Sequence, residues 1–169
     1  MTSAPAAYRI GVIADTHGVL PAAVARVFEG VQLILHAGDI GLMEVIEELA
    51  TIAPVSAVSG NVDGVPEAAT RPLFRQLETP AGRIAMTHGH LSLAPAADPA
   101  RLVRHFAAFH PDIIVYGHTH VPRLGQCEGV TLFNPGAAGR AGVGHPPSVG
   151  LITVQAPGER PRLEHVVLA

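Results

Sequence analysis

Apolar and polar positions along the first 60 residues change repeatedly from a strand-like to a helix-like pattern. Three short β-branched runs are typical of buried parallel strands and lie at residues 8–14, 31–36 and 55–59. Between them, Pro21 opens one apolar stripe at helical spacing, and Pro54 ends a second. This β-α-β-α-β order predicts a parallel sheet with right-handed crossovers.

The second half of the chain has more strand-like segments and one helix. Residues 73–79 and 83–88 flank a Pro-Ala-Gly sequence, which has the composition of a tight hairpin turn. Asp98 and Pro99 are the residue types of a helix N-cap and first helical position. Further strands are predicted at residues 112–116, 130–133, 149–154 and 163–168. We therefore expect one α/β domain over residues 1–169, with a mixed sheet or two packed sheets.

Side chains that commonly bind metals follow five of the predicted strands. Seven of them are candidate metal ligands: Asp15, His17, Asp39, Asn61, His88, His118 and His120. Each short motif alone is more typical of a turn, but the carboxyl ends of the strands in an open α/β sheet are where sites form. Oxygen and imidazole ligands together favour borderline divalent ions over Mg²⁺ alone. Because one ion needs only three or four ligands, seven predict two ions that share a bridging carboxylate.

Composition narrows the class of protein further. With 48% hydrophobic and 15% charged residues, the chain is expected to fold rather than stay disordered. No apolar run approaches the roughly 20 residues of a membrane span, and no secretory signal is recognisable, so a cytoplasmic location is expected. A net charge of −3 argues against a broad nucleic-acid surface. The single Cys127 excludes an intramolecular disulfide.

The ordered series D-x-H, GD, GN, HGH and GHTH resembles the calcineurin-like metallophosphoesterase superfamily. The short chain is similar to the small prokaryotic YfcE-type phosphodiesterase branch, and the resemblance runs from Ile10 to the Asn134-Pro135-Gly136 turn. It implies a four-layer α/β/β/α sandwich and a hydrolase. That hydrolase would cleave phosphodiester bonds, with phosphomonoesters left open, by a hydroxide held between two metal ions. Manganese is the expected metal, with zinc, iron, nickel and magnesium as alternatives.

The resemblance also implies how the seven ligands divide between two ions. Asp15, His17 and His120 would hold the first ion. Asn61, His88 and His118 would hold the second. Asp39 would bind both.

The chain departs from the superfamily's common pattern after the third predicted strand. Many members have a histidine after Gly-Asn that is a candidate proton donor to the leaving group. This chain has Val62 at that position. The YfcE-type branch also lacks the histidine, so the difference agrees with the resemblance to that branch. His90 is the candidate catalytic acid in its place. The alternative is that His90 orients His88 or a ligand carboxylate. Ala137 stands where the family more often has serine.

Other polar residues receive simpler interpretations. His36 is expected to be a satisfied core or near-site histidine, and His105 and His110 to lie on the surface. Arg140 is either solvated or close to a phosphate. The loops at residues 64–71 and 91–97 are expected to determine specificity.

Two alternative functions remain at this stage. The first is a non-catalytic interaction scaffold on the same fold, as in the eukaryotic retromer subunit that is related to this branch. The second, a dinucleotide-binding domain, needs G-x-G-x-x-G after the first strand, where the chain instead has Asp-Thr-His-Gly. The expected partner is a small-molecule phosphoester, with no membrane contact and with a homo-oligomer left open.

Overall fold

Ten strands form two five-stranded sheets in the computed structural model of the protein, which describes residues 7–64, 71–91, 98–139 and 144–168. The strands of the first sheet are β1 (Tyr8–Ile13), β2 (Leu33–His36), β3 (Val55–Ala57), β9 (Ser148–Val154) and β10 (Arg162–Val167). Their order is β10-β9-β1-β2-β3, in which β1, β2 and β3 are parallel and β9 is antiparallel to both of its neighbours.

The second sheet is also mixed. Its strands are β4 (Phe74–Thr79), β5 (Gly82–Thr87), β6 (Ile113–Val115), β7 (Arg123–Cys127) and β8 (Val130–Asn134). They follow the order β4-β5-β6-β8-β7, with β5, β6 and β8 parallel and the two edge strands antiparallel. Each sheet thus has three parallel strands whose carboxyl ends share one edge.

Helices cover the outer faces of both sheets. They are α1 (Ala23–Val27), α2 (Met43–Ala50), α3 (Pro99–His105) and a 3₁₀ helix at Ala107–Phe109. The Asp98 side chain caps α3 by accepting a hydrogen bond from the Ala100 N–H at 3.0 Å, as the sequence predicts. None of the helices in the described ranges is long and apolar enough to cross a bilayer.

The core is divided into three apolar clusters that define four layers. Strand residues alternate between the faces of a sheet, so Leu35 packs between the two sheets while its neighbour Ile34 faces the helices. Phe28 packs with Ile34 in the outer cluster of the first sheet, and Phe106 lies in the corresponding cluster under α3. The α/β/β/α sandwich that the resemblance implied is confirmed.

One strand was not predicted from the sequence. β7 is an edge strand with mostly exposed or half-buried residues, so it lacks the apolar run that identifies the central strands. A two-residue turn joins it to β8, and both turn residues, Glu128 and Gly129, have positive φ angles of 51° and 81°. The predicted strand at 55–59 also ends earlier, at Ala57.

Three sequence-based expectations lie outside the described residues. They concern Arg140 and most of the two loops, at residues 65–70 and 92–97.

Candidate metal centre

The loops after β1 and β2 place two carboxylates side by side. Backbone hydrogen bonds join the Asp15 N–H to the Gly38 carbonyl and the His17 N–H to the Asp39 carbonyl, both at 3.0 Å. These bonds continue the β1–β2 pairing beyond the strands. Both carboxylate residues are buried, Asp15 at 0% and Asp39 at 3% relative exposure. Burying two carboxylates without a cation would be costly, so the arrangement favours a bound cation.

The first group of candidate ligands consists of Asp15, His17, Asp39 and His120, whose ligand atoms all lie within 4.8 Å of one another. The Nε2 atoms of His17 and His120 are 3.2 Å apart, and His120 Nε2 is 3.3 Å from Asp15 Oδ1. Asp15 Oδ1 is buried and has no hydrogen-bond partner among the described residues. A buried oxygen without a donor, surrounded by imidazole nitrogens, fits a divalent cation.

The second group surrounds the fully buried His88. Its Nδ1 lies 2.8 Å from the Ala37 carbonyl, and a carbonyl can only accept, so Nδ1 carries the hydrogen. In the neutral ring the lone pair is then on Nε2, which faces Asn61 Oδ1 at 3.1 Å and Asp39 Oδ2 at 3.3 Å. Three electron-rich atoms facing one another also fit a cation. The His118 ring completes the group, with its centroid 5.1 Å from that of His88.

Asp39 lies between the two groups. Its Oδ2 is 3.3 Å from His88 Nε2 and 3.9 Å from His17 Nε2, while its Oδ1 accepts a hydrogen bond from the Val62 N–H at 3.1 Å. One carboxylate therefore faces histidines of both groups, which is the position that a bridging ligand requires.

The electrostatics of the histidines depend on their distance from the carboxylates. The Asp15 carboxylate raises the pKa of His120 above its usual value. Burial alone would lower the pKa of His88, but Asp39 and Asp15 outweigh it and the pKa is raised. Burial and the neighbouring His88 lower the pKa values of His90 and His118. His90 and His118 therefore favour the neutral form, in which a ring nitrogen keeps a free lone pair.

Backbone conformation sets these residues apart from the rest of the chain. Positive φ angles occur at five of the seven candidates, namely Asp15, His17, Asp39, His118 and His120, with values between 48° and 70°. In the described residues, only two other non-glycine residues, His110 and Glu128, have this conformation. Each such residue costs on the order of 1 kcal/mol, and strain of this kind is typical of functional sites.

The two sheets meet closely at this edge. A Cβ atom at Gly38, whose φ is 89°, would lie 2.8 Å from the Cβ of His88. A Cβ at Gly117 would lie 3.0 Å from Asp15 Oδ2 and from the Ala37 carbonyl oxygen. Both positions therefore require glycine, because any side chain would push the two halves of the candidate centre apart.

A family profile identifies the superfamily to which this fold belongs. The profile of the calcineurin-like phosphoesterase superfamily domain matches residues 8–157. The chain belongs to the calcineurin-like phosphoesterase superfamily. The sequence-based expectation of a hydrolase of this family is thereby supported.

Individual relatives agree with the family assignment. The chain is 38% identical over 133 residues to a probable metallophosphoesterase of Methanothermobacter thermautotrophicus, covering 76% of each chain. It is 32% identical over 163 residues to the phosphodiesterase YfcE of Escherichia coli K12, covering 82% of this chain and 83% of YfcE. Among solved structures, Vacuolar Protein Sorting 29 from Cryptosporidium parvum aligns with a TM-score of 0.77 and 23% identity, covering 96% and 99% of the two chains.

All seven candidate ligands of this phosphoesterase fold are brought to one edge of the two sheets, and His90 lies beside them. The centroid of the His90 ring is 5.4 Å from that of His88 and 6.3 Å from that of His118. Its Nδ1 is buried without a hydrogen-bond partner among the described residues. Val62, which replaces the common histidine of the superfamily, is 53% exposed and contributes its backbone N–H to Asp39.

Sequence analysis missed the structural role of Asp63. Its Oδ1 accepts hydrogen bonds from the N–H groups of Ile40 and Gly41 at 2.7 and 3.0 Å, and its Oδ2 accepts one from Gly60 at 2.7 Å. The carboxylate thus holds together the loops that carry Asp39 and Asn61. Only the Gly60 contact is local in the sequence, while Ile40 and Gly41 lie more than 20 residues before Asp63, so no local pattern marked this residue.

His36 was expected to be satisfied, and the structure confirms it. The ring is fully buried, its Nδ1 accepts a hydrogen bond from the Gly38 N–H at 3.3 Å, and its Nε2 lies 3.0 Å from Thr16 Oγ1. With Nδ1 accepting, Nε2 carries the hydrogen and donates to Thr16, whose hydroxyl donates to the Ile40 carbonyl at 2.9 Å. Burial lowers the pKa of His36 to about 3, which keeps the ring neutral. His105 and His110 are exposed, also as expected.

The loop that carries His118 and His120 is held by a residue of β8. The Asn134 side chain donates to the Gly117 carbonyl at 2.9 Å and to Thr119 Oγ1 at 3.1 Å, and its oxygen accepts from the Gly136 N–H. The backbone carbonyl of Asn134 accepts from His165 Nε2 at 2.7 Å. His165 therefore supports this loop through the backbone of Asn134.

Proposed function

We propose that the protein is a dinuclear, metal-dependent phosphodiesterase, formed by one domain over residues 1–169, with phosphomonoesters as a second substrate class. The observation that carries the proposal is the buried Asp15 Oδ1, which has no hydrogen-bond donor within the described part of the chain and faces the imidazole of His120. The family assignment and the named phosphodiesterase among the relatives support the same conclusion.

The proposed ligand division follows the two groups of side chains. Asp15, His17 and His120 hold one cation. Asn61, His88 and His118 hold the other, and Asp39 binds both. Manganese is the proposed metal, because the carboxylate and amide oxygens of the set suit it, and zinc, iron and nickel are the alternatives that the imidazoles would favour.

Divalent cations in this centre would supply an activated water and neutralise charge on the phosphoryl oxygens. The chain's own residues hold the candidate ligand atoms in the orientation that such cations need. The Ala37 carbonyl fixes the His88 tautomer so that Nε2 faces the centre. The Val62 N–H holds one oxygen of Asp39 and leaves the other directed at His17 and His88.

His90 is the proposed proton donor to the leaving group. Its buried Nδ1 has no protein partner among the described residues, so it is available to hold a proton next to the departing oxygen. The lowered pKa of the ring opposes this role in the free protein, whereas the negative charge of a bound phosphoester would raise that pKa again.

The test is a panel of esters with metal-stripped protein reloaded separately with Mn²⁺, Mg²⁺, Zn²⁺ or Ni²⁺. We expect hydrolysis of a 4-nitrophenyl phosphodiester in at least one reloaded sample, and two equivalents of metal per chain by elemental analysis. Asp112→Ala is the matched control. It removes an aspartate that lies away from the centre and accepts a hydrogen bond from the backbone N–H of Arg83. Protein that binds one equivalent or none at saturating metal contradicts the dinuclear proposal.

A non-catalytic scaffold is the second candidate, and the fold shared with Vacuolar Protein Sorting 29 is the observation that favours it. A scaffold does not need buried carboxylates that face histidines, and this chain has two. Failure of every reloaded sample to hydrolyse any ester, with two metals bound, would favour the scaffold.

A further inference from the structure

A groove with two arginines in its lining also contacts Leu91, the residue that follows His90. Its lining residues are Leu91, Arg101, Arg104 and His105, and its volume is about 370 Å³. Arg101 and Arg104 are three positions apart on α3, and His105 follows, so the three side chains lie on one side of the helix. The protein as a whole carries a net charge of −3, so this concentration of positive charge is local.

One chain connection and one ring contact relate the groove to the candidate metal centre. Leu91 directly follows His90, whose ring centroid is 5.4 Å from that of His88. On the other side, the His105 ring packs on Phe74 with centroids 4.3 Å apart, and Phe74 pairs in register with Thr87, the residue before His88. The groove is therefore connected to the centre through the segment that carries the His-Gly-His motif.

The two arginines are only partly neutralised. Arg104 forms an ion pair with Asp98 at 2.9 Å, and Asp98 is itself fixed as the cap of α3. This pair orients the Arg104 guanidinium and leaves its remaining N–H groups free for another acceptor. Arg101 has no ion pair within the described residues.

We propose that this groove binds a second phosphate group of the substrate, so that the preferred phosphodiester carries an additional phosphate monoester beside the scissile bond. Guanidinium groups recognise phosphate through paired, charge-assisted N–H···O bonds, and two arginines at this spacing provide them from one rigid helix. The inference rests on the proposed phosphodiesterase function, which it deepens by naming the substrate class.

The experiment compares two esters that differ by one phosphate: thymidine 5′-(4-nitrophenyl phosphate) and its 3′-phosphorylated derivative. We expect the metal-loaded protein to hydrolyse the 3′-phosphorylated ester with kcat/KM higher by about 10-fold, mainly through KM, as charge-assisted bonds to one phosphate provide. Arg101→Ala should remove most of this preference by lowering kcat/KM for the 3′-phosphorylated ester. Arg101→Ala combined with Arg104→Ala should abolish it.

Arg160→Ala is the matched control, because it removes the same charge from the exposed turn between β9 and β10, which is not part of the groove. It should retain the preference. Arg101→Ala leaves the Asp98–Arg104 pair intact, so a loss of preference in this variant is not a loss of helix capping.

Binding of thymidine 3′,5′-bisphosphate and thymidine 5′-monophosphate, measured by calorimetry, provides a second readout. Wild-type protein should bind the bisphosphate about 10-fold more tightly, and the double variant should bind both equally. Equal kcat/KM for the two esters, or a preference that survives in the double variant, overturns the inference while the proposed function stands. If neither ester is hydrolysed, the proposed function fails, and the calorimetric comparison alone decides whether the groove binds phosphate.

Discussion

The two sheets contribute different chemistry to the candidate centre. The first sheet supplies every oxygen donor of the predicted set, from Asp15, Asp39 and Asn61, together with His17. The second sheet supplies imidazoles alone, from His88, His90, His118 and His120. Negative charge is thus buried on one side of the site and faces neutral or weakly basic rings on the other. In the proposed division each cation would take ligands from both sheets, so the centre exists only where the two meet.

The two sides are also held in place differently. On the first sheet, Asp63 and the His36–Thr16 pair fix the loops through several hydrogen bonds to backbone groups. On the second, His88 is fixed by a bond across the interface to the Ala37 carbonyl, and Asn134 holds the His118 loop. The loops of the oxygen side are therefore held largely by contacts within the first sheet, although Asp15 Oδ2 also accepts a hydrogen bond from the His118 N–H at 3.2 Å, while the orientation of His88 on the imidazole side depends on contact with the first sheet.

Removing the Asp39 carboxylate, which faces both groups of candidate ligands, should have the largest effect on activity. Asp39→Ala is expected to lower kcat/KM by about 10³-fold or more at saturating metal, because both proposed cations lose a ligand and an electrostatic partner. His17→Ala, which affects one cation, should lose less. Steady-state kinetics with both variants at matched metal occupancy measure the difference, and a larger loss in His17→Ala contradicts the bridging role of Asp39.

On the imidazole side, the sharpest test concerns the His90 proton. His90→Ala should lower kcat/KM for an ester of an ordinary alcohol by about 10²-fold, the lower part of the range for general acid catalysis. Hydrolysis of a 4-nitrophenyl ester should hardly change, because 4-nitrophenolate leaves without a proton. Equal losses on the two esters would instead make His90 a residue that orients His88.

Much of this centre could be predicted from the sequence, and the reason is geometric. Asp15, Asp39 and His118 each follow an apolar run that is long enough to be recognised as a buried strand, and parallel strand ends must share an edge. Asp63 and Thr16 have no such marker. Their partners are 20 or more residues away, at Ile40 and His36, so only the folded chain shows their role.

Asp63 tests whether the rigidity of the oxygen side matters. Asp63→Ala leaves the N–H groups of Ile40, Gly41 and Gly60 without their acceptor and should lower kcat/KM by about 10- to 100-fold, the usual effect of a residue that orients ligands. Metal affinity should fall with it, as titration calorimetry would show. Asp112→Ala, which also frees a backbone N–H but at the opposite edge, should leave kcat/KM unchanged.

The smallest effect is expected for stability, at His36. Its folded pKa of about 3 is below the ordinary value near 6.5, so an unfolded chain takes up a proton in this interval that the folded chain does not. The free energy of unfolding should therefore fall as the pH drops below 6.5. Between pH 7 and pH 5, metal-free wild-type protein should lose about 2 kcal/mol more than His36→Gln. Urea unfolding at both pH values measures this, and parallel losses would show that His36 is protonated in the fold.

The missed strand β7 illustrates what the sequence pattern does not encode. Buried strands such as β6 are apolar at every position because both faces are covered, whereas β7 pairs on one side and exposes Arg123 and Leu124. Gly125 interrupts the pattern further, and a Cβ at that position would meet nothing within 4 Å. Pairing with β8, rather than the composition of β7, determines this edge.

The left-handed backbone at five candidate ligand positions has a consequence for engineering. Glycine adopts this conformation without penalty, so replacing Asp15, His17, Asp39, His118 or His120 by glycine relieves strain and, at the buried carboxylates, removes charge repulsion. In the metal-free protein, a selection for heat resistance alone would therefore favour the loss of these residues. Substitutions that raise thermal stability at these five positions would lower activity. A thermostable variant that stays active must therefore gain its stability at other positions.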